Sequence, residues 1–278
     1  MENISDQPLY CLLGEKIQNS LSPSIHNAFF KYHDIDGLYI TLNVDALNLK
    51  DTLKLLHRLN FHGANVTIPY KESIMQYLDS FDPLAKEVNA VNTILNKNNK
   101  LIGYNTDVDG FMIPINKQIQ NLNTKTVVIL GAGGAAKAVL HGLANANCKD
   151  IIILNRNLER AQNIISALDS NISVSCNVLN QQNIDSLSNI DIIVNTIPLN
   201  STNTAFTFGP QLGIQLAYDL EYIPKETNFI KQMKILNADI IYGYEMLLSQ
   251  AKLSFQIWTG LLPDNASIDN MILSILGE

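Results

Sequence analysis

The chain predicts an α/β fold in two domains, and three observations carry that expectation. Short apolar strands alternate with helical patterns from end to end, the pattern of mainly parallel sheets covered by helices. The apolar run Thr126-Val127-Val128-Ile129-Leu130 is followed at once by Gly131-Ala132-Gly133-Gly134-Ala135-Ala136 and then by a helical pattern. A full α/β stretch precedes that strand and turn, so the glycine-rich unit is the second of the two. The length of 278 residues suits one large domain or two medium ones, and 46% hydrophobic with 16% charged residues supports a sizeable core.

In the first part, a strand is expected at Leu9–Gly14 and a helix from Ser22 to about His33. Pro23 suits the opening of that helix. A strand at Leu38–Val44, a helix from Asp45 to Asn60, a strand at Gly63–Val66 and a helix after Pro69 follow. Thr93–Leu95 and Leu101–Gly103 flank a polar Asn/Lys-rich turn and read as a hairpin. A helix from Asp107 to about Gln120 is expected to link the domains. Strands near Val127, Ile152, Val174, Ile192 and Ala217 build the second sheet, which reads as finished near Ile240–Gly243. Helical patterns at Glu245–Thr259 and Ser267–Leu276 remain, and the simplest packing returns them to the first domain. The expected domains are 1–106 plus 244–278, binding substrate, and 107–243, Rossmann-like and binding a cofactor. The cleft between them is the expected substrate site.

The turn predicts the cofactor. Gly131, Gly133 and Ala136 have the spacing of a dinucleotide-binding turn. Gly131 permits the tight turn, Gly133 lets a pyrophosphate approach the backbone, and Ala136 lets the helix pack close. Free N–H groups at the helix start, around Gly134 and Ala135, would face the phosphates. The next strand, Asp150-Ile151-Ile152-Ile153-Leu154, ends at Asn155-Arg156, with Arg160 a turn further on. A carboxylate there would accept from a ribose 2′-OH and repel a 2′-phosphate. Guanidinium groups can instead pair with the phosphate, which favours NADP(H) over NAD(H).

Three segments of the first domain gather polar groups where strands end. Ser20 and Ser22 alternate just before a helix, where two hydroxyls could hold a carboxylate or Ser22 could simply cap the helix. Asn65-Val66-Thr67-Ile68-Pro69-Tyr70-Lys71 closes a strand and opens the expected helix. A lysine in a first helical turn opposes the macrodipole, which points to a use beyond helix stability. Ala90-Val91-Asn92-Thr93 and Gly103-Tyr104-Asn105-Thr106-Asp107 form the third, with Asn105-Thr106-Asp107 reading as a helix cap. Asp107 could also pair with Lys71 in acid/base chemistry.

Taken together these motifs resemble the shikimate dehydrogenase family over nearly the whole chain. They are Ser-x-Ser-Pro-x-x-His-Asn (20–27), Asn-Val-Thr-x-Pro-x-Lys (65–71), Ala-Val-Asn-Thr (90–93) and Gly-x-Asn-Thr-Asp-x-x-Gly (103–110). The glycine turn and Asn155-Arg156 come next, then Asp219-Leu220-x-Tyr222-x-Pro224-x-x-Thr227 and Met246-Leu247-x-x-Gln250. The resemblance implies NADPH-dependent, reversible reduction of 3-dehydroshikimate to shikimate, a step of aromatic amino-acid biosynthesis. It puts the substrate carboxylate on Ser20 and Ser22, and the ring hydroxyls and reacting oxygen on Thr67, Asn92 and Gln250. Lys71 and Asp107 would form the catalytic pair. Asn155, Arg156 and Arg160 would hold the adenosine end, and Tyr222 and Gly243 would lie near the nicotinamide. Lys71 could donate a proton or stabilise the developing oxyanion, and the sequence leaves both open.

The chain departs from the family pattern at Asn89, at Asn157 and along Asn195-Thr196-Ile197-Pro198-Leu199-Asn200, the nicotinamide-side loop. A quinate/shikimate dehydrogenase using NAD and a non-catalytic NADP sensor are the competing readings. Arg156 without a nearby carboxylate argues against the first, and retention of both Lys71 and Asp107 against the second.

The formal net charge of −7 leaves no basic stripe for nucleic acid. No apolar run is long enough to span a bilayer, and the polar start Met1–Asp6 is not a signal peptide. Cys11, Cys148 and Cys176 lie far apart and read as reduced thiols of a cytoplasmic protein. No metal is expected, and the assembly is a monomer or a homodimer.

Overall fold

The computed structural model describes residues 7–59, 61–168, 172–199, 206–263 and 274. They divide into two compact α/β units. The first comprises residues up to Thr106 together with those from Gln250 onward, and the second is Asp107–Ser249. The division runs through one helix, Gly243–Thr259.

Unit 1 contains β1 (Leu9–Gly14), α1 (Ser22–Tyr32), β2 (Leu38–Asn43), α2 (Leu49–Arg58) and β3 (Gly63–Val66), followed by β4 (Ser80–Phe81), α3 (Pro83–Val88), β5 (Thr93–Lys97) and β6 (Lys100–Tyr104). Its sheet order is β2-β1-β3-β5-β6-β4. β1 runs parallel to β2 and β3, but β5 is antiparallel to both β3 and β6. β4 runs parallel to β6, so the sheet is mainly parallel with the antiparallel β5 set into it. The β5/β6 hairpin turns over Asn98 and Asn99, both left-handed, and reverses the chain inside the sheet. That reversal brings the start of β5 to the same edge as the ends of β1, β3 and β6.

Local chemistry explains the elements. α1 buries Ser22, Ile25, His26, Phe29 and Phe30, one stripe at helical spacing. α2 buries Leu49, Leu53 and Leu56 in the same way and begins at Leu49 rather than Asp45, because Asp45 instead accepts from Asn48 in a turn. α3 starts at Pro83 under an Asp82 cap and ends at left-handed Asn89. Asn89 thus occupies, without glycine, a conformation that Asn tolerates best among residues with a side chain. The expected helix after Pro69 is replaced by a turn and a short 3₁₀ segment, Ser73–Tyr77. Lys71 precedes that segment, so the macrodipole argument for it does not apply.

Unit 2 contains α4 (Asp107–Gln118), β7 (Thr126–Leu130), α5 (Gly134–Asn145), β8 (Asp150–Asn155), α6 (Leu158–Ser166), β9 (Ser173–Val178), α7 (Gln181–Asp185), β10 (Ile192–Asn195), β11 (Leu216–Asp219), α8 (Asn228–Ile235) and β12 (Asp239–Tyr242). α9 (Gly243–Thr259) leaves the unit. The sheet is wholly parallel in the order β12-β11-β10-β7-β8-β9. The sheet finishes near Ile240–Gly243 as expected, with β12 as its sixth strand. Alternate residues of β7 feed opposite cores: Val127 and Ile129 one side, Val128 and Leu130 the other. That two-sided burial is why the parallel strands read as unbroken apolar runs. The expected helix at Ser267–Leu276 lies outside the described residues except for Ser274.

Candidate functional site

In unit 2 the strand order reverses between β7 and β10, and a crevice at such a switch point is where open α/β sheets bind ligands. The glycine turn sits there. Gly131 has φ of 108°, and a Cβ on it would lie 2.4 Å from Thr196 Oγ1, so only glycine fits. Thr196 is held in place by its hydroxyl donating to Leu130 O at 2.7 Å. Gly133 is the extended residue before α5, with no side-chain cap on the helix start. A Cβ built on Gly133 or Gly134 meets nothing within 4 Å. The helix start is therefore bare of side chains and its N–H groups are open to a pyrophosphate. Ala135 is half-buried and Ala136 fully buried in the core beneath.

At the end of β8, Asn155 donates to Asn157 O at 2.7 Å, and Asn157 Oδ1 accepts from Arg160 N at 2.9 Å. Asn157 is thus the cap of α6 and has a structural use of its own. Arg156 and Arg160 are exposed, and neither forms an ion pair among the described residues. An uncapped helix start and exposed guanidinium groups at the end of β8 have the chemistry that a nucleotide's pyrophosphate and 2′-phosphate need.

Beside the switch point, β10 and β11 end in a buried network that the sequence reading missed. Asn195 Nδ2 donates to Asp219 Oδ1 at 2.8 Å, and Glu221 N donates to the same oxygen at 3.0 Å. The Thr227 hydroxyl donates to Asp219 Oδ2 and accepts from Ile230 N, capping α8. One carboxylate therefore joins two strand ends, the loop carrying Tyr222 and a helix cap. Burial pushes Asp219 up to about 6, against the pull of Thr227, Asn195 and the Glu221 N–H. Tyr222 is half-buried, and burial raises its hydroxyl pKa. Gly243 packs against backbone: its Cβ would lie 2.7 Å from the carbonyl oxygens of Asp219 and Leu220. That close approach accounts for the glycine without a ligand. The nicotinamide-side loop is described only to Leu199; Asn200 lies outside the described residues.

In unit 1 the expected residues gather at one edge of the sheet. Ser20 and Ser22 follow β1, Thr67 follows β3, Asn92 precedes β5, and Gln250 lies on α9. The helix start leaves Ser22 without a capping role: α1 has no side-chain cap bond. Instead Ser22 N donates to Ser20 Oγ at 3.2 Å, and the two hydroxyls are 3.2 Å apart. Thr67 is half-buried, its N–H donating to Leu13 O and its carbonyl accepting from Tyr70 N. Lys71 is half-buried too, and its carbonyl accepts from Val91 N, stitching the 67–71 turn to the segment before Asn92. The Ile68–Pro69 peptide within this turn is cis.

Two asparagines are oriented by backbone groups that cannot change role. Thr106 N donates to Asn92 Oδ1 at 2.8 Å, so the Asn92 amide nitrogen faces the other way. It donates to Thr106 Oγ1 at 2.8 Å and approaches Gln250 Oε1 at 3.5 Å. Asn65 Nδ2 donates to Asn92 O at 3.1 Å, which turns Asn65 Oδ1 towards the Tyr39 hydroxyl, its donor at 2.8 Å. Thr106, expected within a helix cap, is part of this network. Asp107 is buried as the first residue of α4, in the other unit from Lys71.

His26 is fully buried, stacked on Tyr39 with ring centroids 4.5 Å apart, and 5.1 Å from the Trp258 ring. Neither ring nitrogen has a hydrogen-bond partner. Burial pushes it down to about 3, against a smaller opposite pull from Asn65, so it is neutral at pH 7. Asn27, its neighbour in the same motif, holds β2 by accepting from Tyr39 N at 2.9 Å and donating to Tyr39 O at 3.0 Å.

Comparison with known proteins follows the two units. The shikimate dehydrogenase substrate binding domain matches residues 12–94, and the shikimate / quinate 5-dehydrogenase domain matches residues 115–204. The shikimate dehydrogenase (NADP(+)) of Nitrosopumilus maritimus is 38% identical over 261 residues, covering 92% of this chain and 95% of the relative. A crystal structure of a shikimate dehydrogenase in complex with NADP+ has TM-score 0.87 at 33% identity, covering 100% of this chain and 98% of that one. The Thermus thermophilus shikimate 5-dehydrogenase in complex with NADP(H) and shikimate has TM-score 0.84 at 28% identity, covering 96% and 99%. With its uncapped glycine turn, its oriented asparagines and these relatives over nearly its full length, the chain belongs to the shikimate dehydrogenase family.

Proposed function

We propose that this protein catalyses the reversible, NADPH-dependent reduction of 3-dehydroshikimate to shikimate. The observation that carries the reading is the Asn92 amide, locked by Thr106 N and facing Gln250, at the sheet edge that also bears Ser20, Ser22 and Thr67. The reading assigns the substrate carboxylate to Ser20 and Ser22, and the ring oxygens to Thr67, Asn92, Gln250 and Tyr222. Gly131, Gly133, Gly134, Ala135 and Ala136 cradle the pyrophosphate; Asn155, Arg156 and Arg160 take the adenosine phosphate; and Gly243, a glycine because of its backbone packing, lies near the nicotinamide end.

Bound NADPH supplies a hydride to the substrate carbonyl carbon. Lys71 meets the negative charge that develops on the substrate oxygen, and a proton must reach that oxygen for the alcohol to form. Lys71 and Asp107 are the groups assigned to that transfer. In the reverse direction the same pair withdraws the hydroxyl proton as hydride leaves the carbon.

Cytoplasmic location and a monomeric or dimeric state belong to the same reading. The three cysteines are free thiols, and no helix among the described residues is long and apolar enough to cross a membrane.

The test follows NADPH or NADH formation by near-ultraviolet absorbance, with shikimate or quinate paired with NADP or NAD. Rapid turnover with shikimate and NADP is expected. Turnover mainly with quinate and NAD overturns the substrate and cofactor assignment. NADPH binding without turnover in any pairing makes the protein a sensor.

A further inference from the structure

Ser254 has no part in the sequence motifs, yet it is completely buried at the centre of the unit 1 network. Its Oγ lies 2.8 Å from Thr93 Oγ1, 3.2 Å from Thr106 Oγ1 and 2.9 Å from Gln250 O, and it accepts from Asn65 Nδ2 at 3.1 Å. A hydroxyl has one proton and two lone pairs, so these contacts saturate it. The proton goes to Gln250 O, the carbonyl one turn earlier on α9, which can only accept. Ser254 Oγ is then an acceptor for Asn65 Nδ2 and for the Thr93 hydroxyl, whose one proton it shares with Asn92 Oδ1 at 3.1 Å.

We infer that Ser254 is a positioning residue that sets the rotational register of α9, and through it the direction of Gln250. This rests on the reading that Gln250 and Asn92 contact the substrate. Gln250 and Ser254 are four residues apart and share one helix face. Ser254 pins that face to Asn65 on β3 and to Thr93 and Thr106, which flank the β5/β6 hairpin. Those residues also orient Asn92, through Asn65 Nδ2 on its carbonyl and Thr106 N on its amide oxygen. Replacing the hydroxyl by a methyl removes an acceptor that the Asn65 amide and the Thr93 hydroxyl share with the Asn92 carbonyl and Asn92 Oδ1. Those donors then fall back on Asn92 alone, and the helix face loses its polar anchor.

The test measures kcat and both KM values for the full chain, as wild type, Ser254→Ala, Gln250→Ala and the double variant. Ser254→Ala is expected to raise KM for shikimate by about tenfold, the scale of one hydrogen bond, with KM for NADP changed by less than about twofold. In the Gln250→Ala background the same substitution is expected to add less than about twofold, because the group it orients is gone. Equal effects in both backgrounds, an unchanged KM for shikimate, or parallel rises in both KM values overturn the inference. Ser254→Cys, close in volume but a weaker hydrogen-bonding group, gives the same KM split if Ser254→Ala does not fold, and an unchanged shikimate KM in it also overturns the inference. Wild-type protein inactive with shikimate and NADP would overturn the functional reading itself, a result visible before any variant is made.

Discussion

Single side chains carry the chemistry, and two substitutions separate binding from turnover. Lys71→Ala is expected to lower kcat by roughly 10²–10⁴, the range of a lost proton-transfer group, with NADPH affinity little changed. Steady-state rates and a cofactor titration check it, and near-normal turnover would remove Lys71 from the mechanism. Arg156→Ala is expected to raise KM for NADPH by about tenfold or more, as for a lost charge-assisted hydrogen bond, while KM for shikimate stays put. An equal rise in both would make Arg156 a support of the fold. Much at this scale was legible in the chain. Gly131 was readable because a backbone constraint leaves a residue-type signature. Ser254 was not, nor was the contact between Asn195 and Asp219, although each of those two stands in a stretch the sequence singles out, since the partners lie on other strands and helices. The Asn65–Ser254 contact spans 189 positions, and no local pattern encodes it.

Elements were legible where periodicity is strong and lost where topology decides. The parallel strands of unit 2 announced themselves by their apolar runs, but β12 did not, because only one neighbour, β11, holds it and two of its four residues are half-buried. The reversal of β5 was hidden because a hairpin's position within a sheet is a long-range property. The helix expected after Pro69 failed because Tyr70 is drawn inward, its hydroxyl donating to Val44 O at 2.7 Å. At α8 the sequence and the structure meet in Thr227. Thr227→Ala removes both the helix cap and a donor to Asp219, and is expected to cost about 1–2 kcal/mol. Urea unfolding measures this, and Thr227→Ser should restore most of it; no loss in the alanine variant would show the cap to be dispensable.

Across the whole molecule, two buried groups make stability depend on pH in opposite senses. His26 is held at about 3 from an ordinary 6.5, so as pH falls the unfolded chain takes up the proton first. Its contribution is complete above pH 6.5 and lost towards pH 3, on the order of several kcal/mol. Asp219 is raised from 3.8 to about 6, so the unfolded chain releases its proton first as pH rises. Its contribution is complete below pH 3.8 and lost as pH passes 6, on the order of 3 kcal/mol. The two oppose each other between those limits. Denaturant midpoints of the full chain should therefore fall more steeply with acid in Asp219→Asn, and less steeply in His26→Phe; identical profiles in all three proteins would refute the assignment. The interrupted chain path of unit 1 has a consequence for synthesis. A ribosome delivers the first 106 residues, then the whole of unit 2, and only afterwards Gln250, Ser254 and Trp258. Unit 2 can fold while unit 1 still waits for its last helix, so a nascent chain holds an open polar sheet edge until α9 has emerged.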